Sequence, residues 1–387
     1  MTTPVSRHSV DPVESVFVPG ARKATEGRTG SGKSATTRAP VRISGVGTAV
    51  PADSYTQREL VDVFGVTDER AVGFFLNGGI ERRHLTLPEG RVDKETRHLD
   101  PASRAILAAL DRAGLAPRDL GYLALVTSTG FMTPGLSARL MAHLDMDPAA
   151  GRMDVVGMGC NAGLNALGPV ASWAAGHPGR PAAVVCVESF SGAFVHDGSL
   201  AAAVVNSLFG DGAAALVVRG EEDGAKGGAG SSTGSSAGSS AGPELLDFAS
   251  VLVADAIGAM RVEFDRNQGK RRFVLERDVP GVVRAYAAPL IDRLLAGAGL
   301  TRVDIAHWCV HSGGKKVVAA VRDSLGLESA ALRHTTSVLR DFGNVSSGSF
   351  LFSYERLLDE KIAEPGEYGV FMTMGPGSTI EAALFRF

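Results

Sequence analysis

The 387-residue sequence is poor in several features that would commit it to a broad class. Three cysteines are too few for a disulfide framework and point to a reducing compartment. No run of 18 apolar residues occurs, so no transmembrane helix is expected and no membrane partner is implied. The opening MTTPVSRHSVDPVESV lacks the apolar centre of a signal peptide, and a cytoplasmic location is the expectation. The net charge of −3 offers no basic excess for a nucleic acid.

Glycine, by contrast, is abundant, with 48 residues against a usual share of about 7%. Twelve of them lie in two stretches of filler. Residues 1–40 are rich in Ser, Thr, Arg and Gly, lack periodicity, and read as a disordered tail. Residues 220–243, GEEDGAKGGAGSSTGSSAGSSAGP, read as a flexible Gly/Ser-rich loop. The tail contains a phosphate-loop match, GxxxxGKS, from Gly27 to Ser34. Such a loop needs an apolar strand before it and a helix after it, and neither flank here is apolar. The remaining 36 glycines fall in ordered sequence, where they imply tight turns and close approaches.

The rest of the chain alternates short apolar runs with helical patterns. Strands are predicted at 41–50, 123–129, 182–189, 213–218, 307–312 and 368–374. Helices are predicted at 101–114, 161–175, 281–299, 315–325 and 349–361. Nearly all-apolar strands between helices indicate an α/β fold with sheets covered on both faces. An echo runs through the sequence. Ala113-Gly114-Leu115 recurs as Ala298-Gly299-Leu300, and Asp119-Leu120 as Asp304-Ile305, both 185 residues later. Each copy follows a helix and precedes an apolar strand. This suggests duplicated halves, 41–219 and 244–387, although short helix endings also coincide by chance.

Three segments carry residues capable of chemistry. In DVVGMGCNAGLNAL (154–167) an apolar strand enters a Gly-rich turn, and Cys160 stands where a helix begins. The helix dipole and free amides there favour thiolate, so Cys160 is either a nucleophile or a buried structural cysteine. Pro169 inside the helical stretch weakens that helix. Cys186 and Cys309, within apolar strands, read as buried structural thiols. In HWCVHSGGKK (307–316) His311 falls at a strand end before two glycines, a usual place for reactive side chains, whereas His307 reads as structural. In DFGNVSSGSF (341–350) Asn344 is either a turn or cap residue, or an amide donor to a developing oxyanion.

Cys, then His, then Asn is a nucleophile–base–orienter set used both by papain-like hydrolases and by thiolase-type condensing enzymes. The hydrolase signature places an aromatic residue directly after the cysteine, where this chain has Asn161. MGCNAGLNAL, LFGDGAAALVV, WCVHSGGKKV, FGNVSSGSF and MGPGSTIEAALF resemble the type III polyketide synthases, the chalcone synthase-like family, from about residue 41 to 387. The resemblance implies a thiolase-like duplicated αβαβα five-layer fold, a homodimer, and malonyl-CoA and CoA-linked polyketide intermediates as partners. It implies no metal and no cofactor beyond the CoA thioester substrates. By motif, Cys160 carries the acyl group, while His311 keeps it as thiolate and, with Asn344, binds the thioester carbonyl. Phe209 and Phe273 match the pair that gates the cavity, and Gly375, Pro376 and Gly377 match a loop shaping its wall. Arg70 matches an entrance cation for the CoA phosphates. Gly73 and Asn77 stand where further cations are usual, leaving Arg82, Arg83, Lys315 and Lys316 as substitutes. Several stretches, among them STGFMTPGLSA and HTTSVLRDFGNVSSGSF, resemble bacterial members that join four malonyl units and close a dihydroxyphenyl ring by aldol condensation and dehydration.

Overall fold

Strands that are apolar at every position need cover on both faces, and the helices between them supply it. The computed structural model describes residues 39–87, 93–193, 199–222, 242–266 and 269–387, so the phosphate-loop match and most of the Gly/Ser-rich loop lie outside the described residues. The first part of the chain runs β1 (Val41–Ala49), β2 (Ser54–Thr56), α1 (Gln57–Val63), α2 (Glu69–Asn77), β3 (Arg82–His84), α3 (Lys94–Arg112), β4 (Tyr122–Thr127), α4 (Leu136–His143), β5 (Gly151–Val156), α5 (Ala162–Gly176), β6 (Pro181–Glu188), α6 (Leu200–Asn206) and β7 (Gly212–Gly220). The second runs β8 (Glu244–Leu252), β9 (Met260–Asp265), β10 (Lys270–Leu275), α7 (Val279–Ala296), β11 (Ile305–Val310), α8 (Lys315–Leu325), α9 (Arg333–Phe342), α10 (Ser349–Glu360), β12 (Tyr368–Gly375) and β13 (Thr379–Arg386).

Two sets of strands repeat one plan. In the first, β5, β4 and β6 are parallel neighbours, followed by antiparallel β7 and β1. In the second, β11 and β12 are parallel, followed by antiparallel β13 and β8. A two-residue pairing of β1 with β8 joins them into one nine-stranded ladder. The turns of the sequence echo match as well. Gly114 and Gly299 both take the left-handed conformation (φ 66° and 70°) just past α3 and α7. Leu115 N–H then reaches back to the Leu110 carbonyl (2.9 Å), and Leu300 N–H to that of Leu295 (3.0 Å). Only glycine enters that conformation without strain, which is why the echo centres on it.

Side-chain alternation assigns the layers. On β4, Leu123 and Leu125 pack in one core with α3 and α4, while Ala124 and Val126 point into another. That second core holds α5 and α10 and also takes Phe371, Ala383 and Phe385 from the other sheet. Val370, Met372, Ala382 and Leu384 face a third core beneath α7 and α8. The order is therefore α3/α4, sheet, α5/α10, sheet, α7/α8, a thiolase-like αβαβα stack. Pro169 does not break α5, which continues to Gly176 with the ring on its exposed side.

Candidate active site

Each predicted chemical residue sits at the start of a middle-layer helix or at the end of a strand aimed there. β5 ends at Val156, and Gly157 and Gly159 (φ 81° and 75°) turn the chain so that Cys160 stands one short turn ahead of α5. β11 ends at Val310 and delivers His311. α9 ends at Phe342, and the loop carrying Asn344 leads into α10. Cys160, His311 and Asn344 are all buried.

The three converge through Ser346. Its hydroxyl donates to the Cys160 sulfur at 3.4 Å. Its backbone also meets the His311 ring. Its N–H donates to Asn344 Oδ1 at 2.8 Å. Asn344 thus caps its own turn, and this turns its amide nitrogen toward Cys160. The two readings of Asn344 are compatible: one oxygen serves the turn and one NH2 serves the site. His311 Nδ1 meets the Ser349 hydroxyl at 2.5 Å, which fixes the ring plane at the first residue of α10.

Burial dominates the electrostatics. It pushes the Cys160 thiol up to about 12, against weaker lowering by the Ser346 hydroxyl and the Asn344 amide and further raising by Glu188. It pulls the His311 imidazole down to about 4. Desolvation of a lone charge thus opposes the thiolate that the helix start favours. Cys186 and Cys309 are buried among apolar residues and their thiols are likewise pushed up. The buried His307 ring is tied to the half-buried Glu367 carboxylate (2.8 Å), a structural role.

The matched cavity residues gather around the thiol. Phe209 and Phe273 meet edge to face, with centroids 5.5 Å apart, in one apolar cluster with Cys160, Val205 and Met260. The Gly375-Pro376-Gly377 loop lies against the nucleophile turn, for a Cβ on Gly159 would be 2.5 Å from Pro376 Cδ. Gly163 similarly admits the Ser347 carbonyl, Cys186 and Phe350. Gly163→Ala should place a methyl group inside contact distance of that fixed carbonyl. The expected result is a fall in thermal midpoint of several degrees, read by calorimetry, with loss of activity in parallel.

Three residues escaped the sequence reading. Phe190 stacks on Phe209 at 4.3 Å and completes the aromatic wall. Glu188 is buried beneath Cys160, accepting from Ser128 N–H and the Thr129 hydroxyl (both 2.9 Å) and from the Ser347 hydroxyl (3.1 Å). Its signal was present, as a lone carboxylate ending an otherwise apolar strand. Gln57, also buried, is taken up below. The entrance cations fare differently. Arg70 is exposed on α2, and Lys315 and Lys316 are exposed at the start of α8, where Lys315 lies against Gly79. Arg83 is buried with 1% exposure and bonded to protein carbonyls, so it cannot serve a phosphate as expected. Among the described residues no group of three or more His, Cys, Asp or Glu is placed to hold a metal, and no helix is long and apolar enough to cross a membrane.

The family model for the C-terminal domain of chalcone and stilbene synthases matches residues 259–387, and that for FAE1/type III polyketide synthase-like proteins matches residues 86–227. The chain is 51% identical over 360 residues to the 3,5-dihydroxyphenylacetyl-CoA synthase of Streptomyces toyocaensis, covering 89% of this chain and 90% of that protein. The chain belongs to the type III polyketide synthases. The enzyme of the same description from Amycolatopsis orientalis is also 51% identical, over 89% of this chain and 93% of its own. The crystal structure of 1,3,6,8-tetrahydroxynaphthalene synthase from Streptomyces coelicolor A3(2) superposes with a TM-score of 0.78 at 25% identity, covering 89% of this chain and 99% of that one. As a type III polyketide synthase the chain is an acyl-transferring condensing enzyme, and the hydrolase alternative lapses.

Proposed function

We propose that this type III polyketide synthase joins four malonyl-CoA units and cyclises the product to 3,5-dihydroxyphenylacetyl-CoA. The observation that carries the reading is the convergence of Cys160, His311 and Asn344 on Ser346 beneath the Phe190, Phe209 and Phe273 wall. The identity to relatives of that description supports the product. The Cys160 proton passes to His311. Burial resists either charge alone, but thiolate and imidazolium created together leave the net charge of the pocket unchanged. The thiolate attacks a malonyl thioester carbonyl and expels the CoA thiol. A second malonyl-CoA loses CO2, and its bond electrons become an enolate whose oxygen is held by N–H groups of His311 and Asn344. Each such donor is worth about 3 kcal/mol. The enolate carbon then attacks the Cys160 thioester, the Cys160–carbonyl bond breaks, and the chain is two carbons longer. The chain, now a CoA thioester, returns to Cys160 for each of two further rounds; the starter unit also loses its carboxylate as CO2, so that four malonyl units leave eight carbons, and aldol closure with loss of water gives the aromatic ring as a CoA thioester.

Domain organisation is read as two catalytic halves, 41–219 carrying Cys160 and 244–387 carrying His311 and Asn344. Arg70, Arg82, Lys315 and Lys316, all exposed, are assigned to the CoA phosphates. A homodimer is assigned, supported by the edge position of β5 and by exposed apolar Val156 and Phe131 nearby. A cytoplasmic location fits three unpaired cysteines. The test is incubation with malonyl-CoA alone. An eight-carbon dihydroxyphenyl thioester with CO2 release is expected. A pyrone would overturn the product assignment, and absence of CO2 would overturn the reaction.

A further inference from the structure

Among the described residues Arg83 ranks first by size of the fully buried side chains, and it lies outside the reaction scheme. Among the described residues no carboxylate forms an ion pair with it, and Asp211 acts on it only at longer range. Its Nη2 is buried with no hydrogen-bond partner. Burial pulls the guanidinium down to about 9, which still leaves it charged at neutral pH. An unpaired buried cation is costly, so its contacts should show what it does.

Those contacts converge on the gate. Arg83 Nη1 donates to the Phe209 carbonyl at 2.7 Å. Its Nε donates to Gln57 Oε1 at 3.1 Å, and Gln57 Nε2 donates to the Ser207 carbonyl at 2.7 Å. Both inward carbonyls of the 207–209 turn are thereby held from one side. The other side of the turn is held by Asn344: Asn344 N–H donates to the Leu208 carbonyl (2.9 Å), and Gly210 N–H donates to the Asn344 carbonyl (3.0 Å). The stem of Arg83 also packs beneath Gly343, where a Cβ would lie 2.9 Å from Arg83 Cδ. One side chain thus touches the backbone on both sides of the seam, at the gate phenylalanine and just ahead of the enolate-binding amide. Its guanidinium lies over the Phe75 ring, 5.7 Å from the centroid, which holds it in place from behind.

We propose that Arg83, aided by Gln57, is a positioning residue that locks the Phe209 gate to the Asn344 amide, so that enolate formation and chain extension stay coupled. The inference rests on the reading of the protein as a malonyl-CoA condensing enzyme. A guanidinium suits this role because its rigid planar fork offers Nε and Nη1 as separate donors to the two acceptors, whereas an ammonium gathers its donors on a single nitrogen. If the lock loosens, decarboxylation still proceeds on some fraction of encounters, but the enolate is protonated before it meets the thioester.

The experiment uses the full chain with malonyl-CoA and counts CO2 released per aromatic product formed. For Arg83→Lys the ratio should rise at least threefold and kcat for product should fall at least tenfold, with KM changed less than twofold. Gln57→Leu leaves the Phe209 contact in place and should shift the ratio in the same direction by a smaller factor. A purely structural role would lower the melting temperature without moving the ratio. Arg83→Lys protein that folds and keeps the wild-type ratio overturns the proposal. Should Arg83→Lys fail to fold, an unchanged ratio in Gln57→Leu overturns it. Wild-type protein that releases no CO2 refutes the condensing reading instead, and so the two failures are distinguishable.

Discussion

Cys160→Ala is expected to reduce formation of any extended product by about 10⁴-fold or more, because the growing chain then has no covalent seat. The same variant should go on releasing CO2 from malonyl-CoA. Decarboxylation needs donors for the enolate oxygen, and those come from His311 and Asn344, whereas the thiol enters only at the carbon–carbon bond. The sulfur lies in an apolar cluster with 7% exposure, and truncating it should cost about 1 kcal/mol of stability, too little to unfold the protein. Product analysis and CO2 trapping on one sample measure both halves. Extended product at the wild-type rate would remove Cys160 from the mechanism. Loss of CO2 release along with product would mean that decarboxylation also depends on the thiol.

The second large effect concerns His311. His311→Gln keeps a polar side chain of similar size but cannot take a proton. The glutamine amide can still donate to the enolate oxygen, so decarboxylation should fall by less than the roughly 10²–10³-fold that loss of a whole oxyanion donor costs, while chain extension, which needs the Cys160 thiolate, falls further. Alkylation of Cys160 gives an independent readout. In the wild type a proton acceptor beside the thiol lets thiolate and imidazolium form as a neutral pair. Without it the thiol titrates alone, held near 12 by burial. Thiolate then falls tenfold for each pH unit below that value, so the alkylation rate of the variant should climb tenfold per unit from about pH 7 to pH 9 with no plateau. The wild-type rate is expected to level off at neutral pH, and a variant profile that does the same would show that His311 is not the partner.

The residues of the site were legible because each is announced locally. Cys160 and Asn344 each follow a glycine directly and His311 precedes a pair of glycines by one residue, all at a change from strand or helix to turn, a pattern visible within ten residues. The strands of the covered sheets were legible for a similar reason: β6 is buried at every position and reads as an apolar run. β8 is not legible in the sequence because its exposed positions are interleaved without regular alternation, leaving no clear period. β13 is hidden in the sequence because Glu381 interrupts it, a carboxyl that is buried and satisfied in part by Asn165. α6 is a short run of Ala and Val, which propensity alone assigns to strand as readily as to helix. Arg83 stands in the sequence among the possible substitutes for the entrance cations, since a cation in sequence has no way to declare its burial. Its partner carbonyl is 126 residues away, and nothing near either residue signals the pairing.

The shared middle layer bears on how the molecule comes apart. A duplicated chain could in principle unfold as two bodies, one after the other. Here α5 from the first half and α10 from the second are packed into a single core that also takes side chains from both sheets. Neither half can open without exposing apolar surface belonging to the other. Duplication thus supplied two copies of a plan but a single cooperative unit, and fragments cut at the Gly/Ser-rich loop would each inherit an uncovered sheet face.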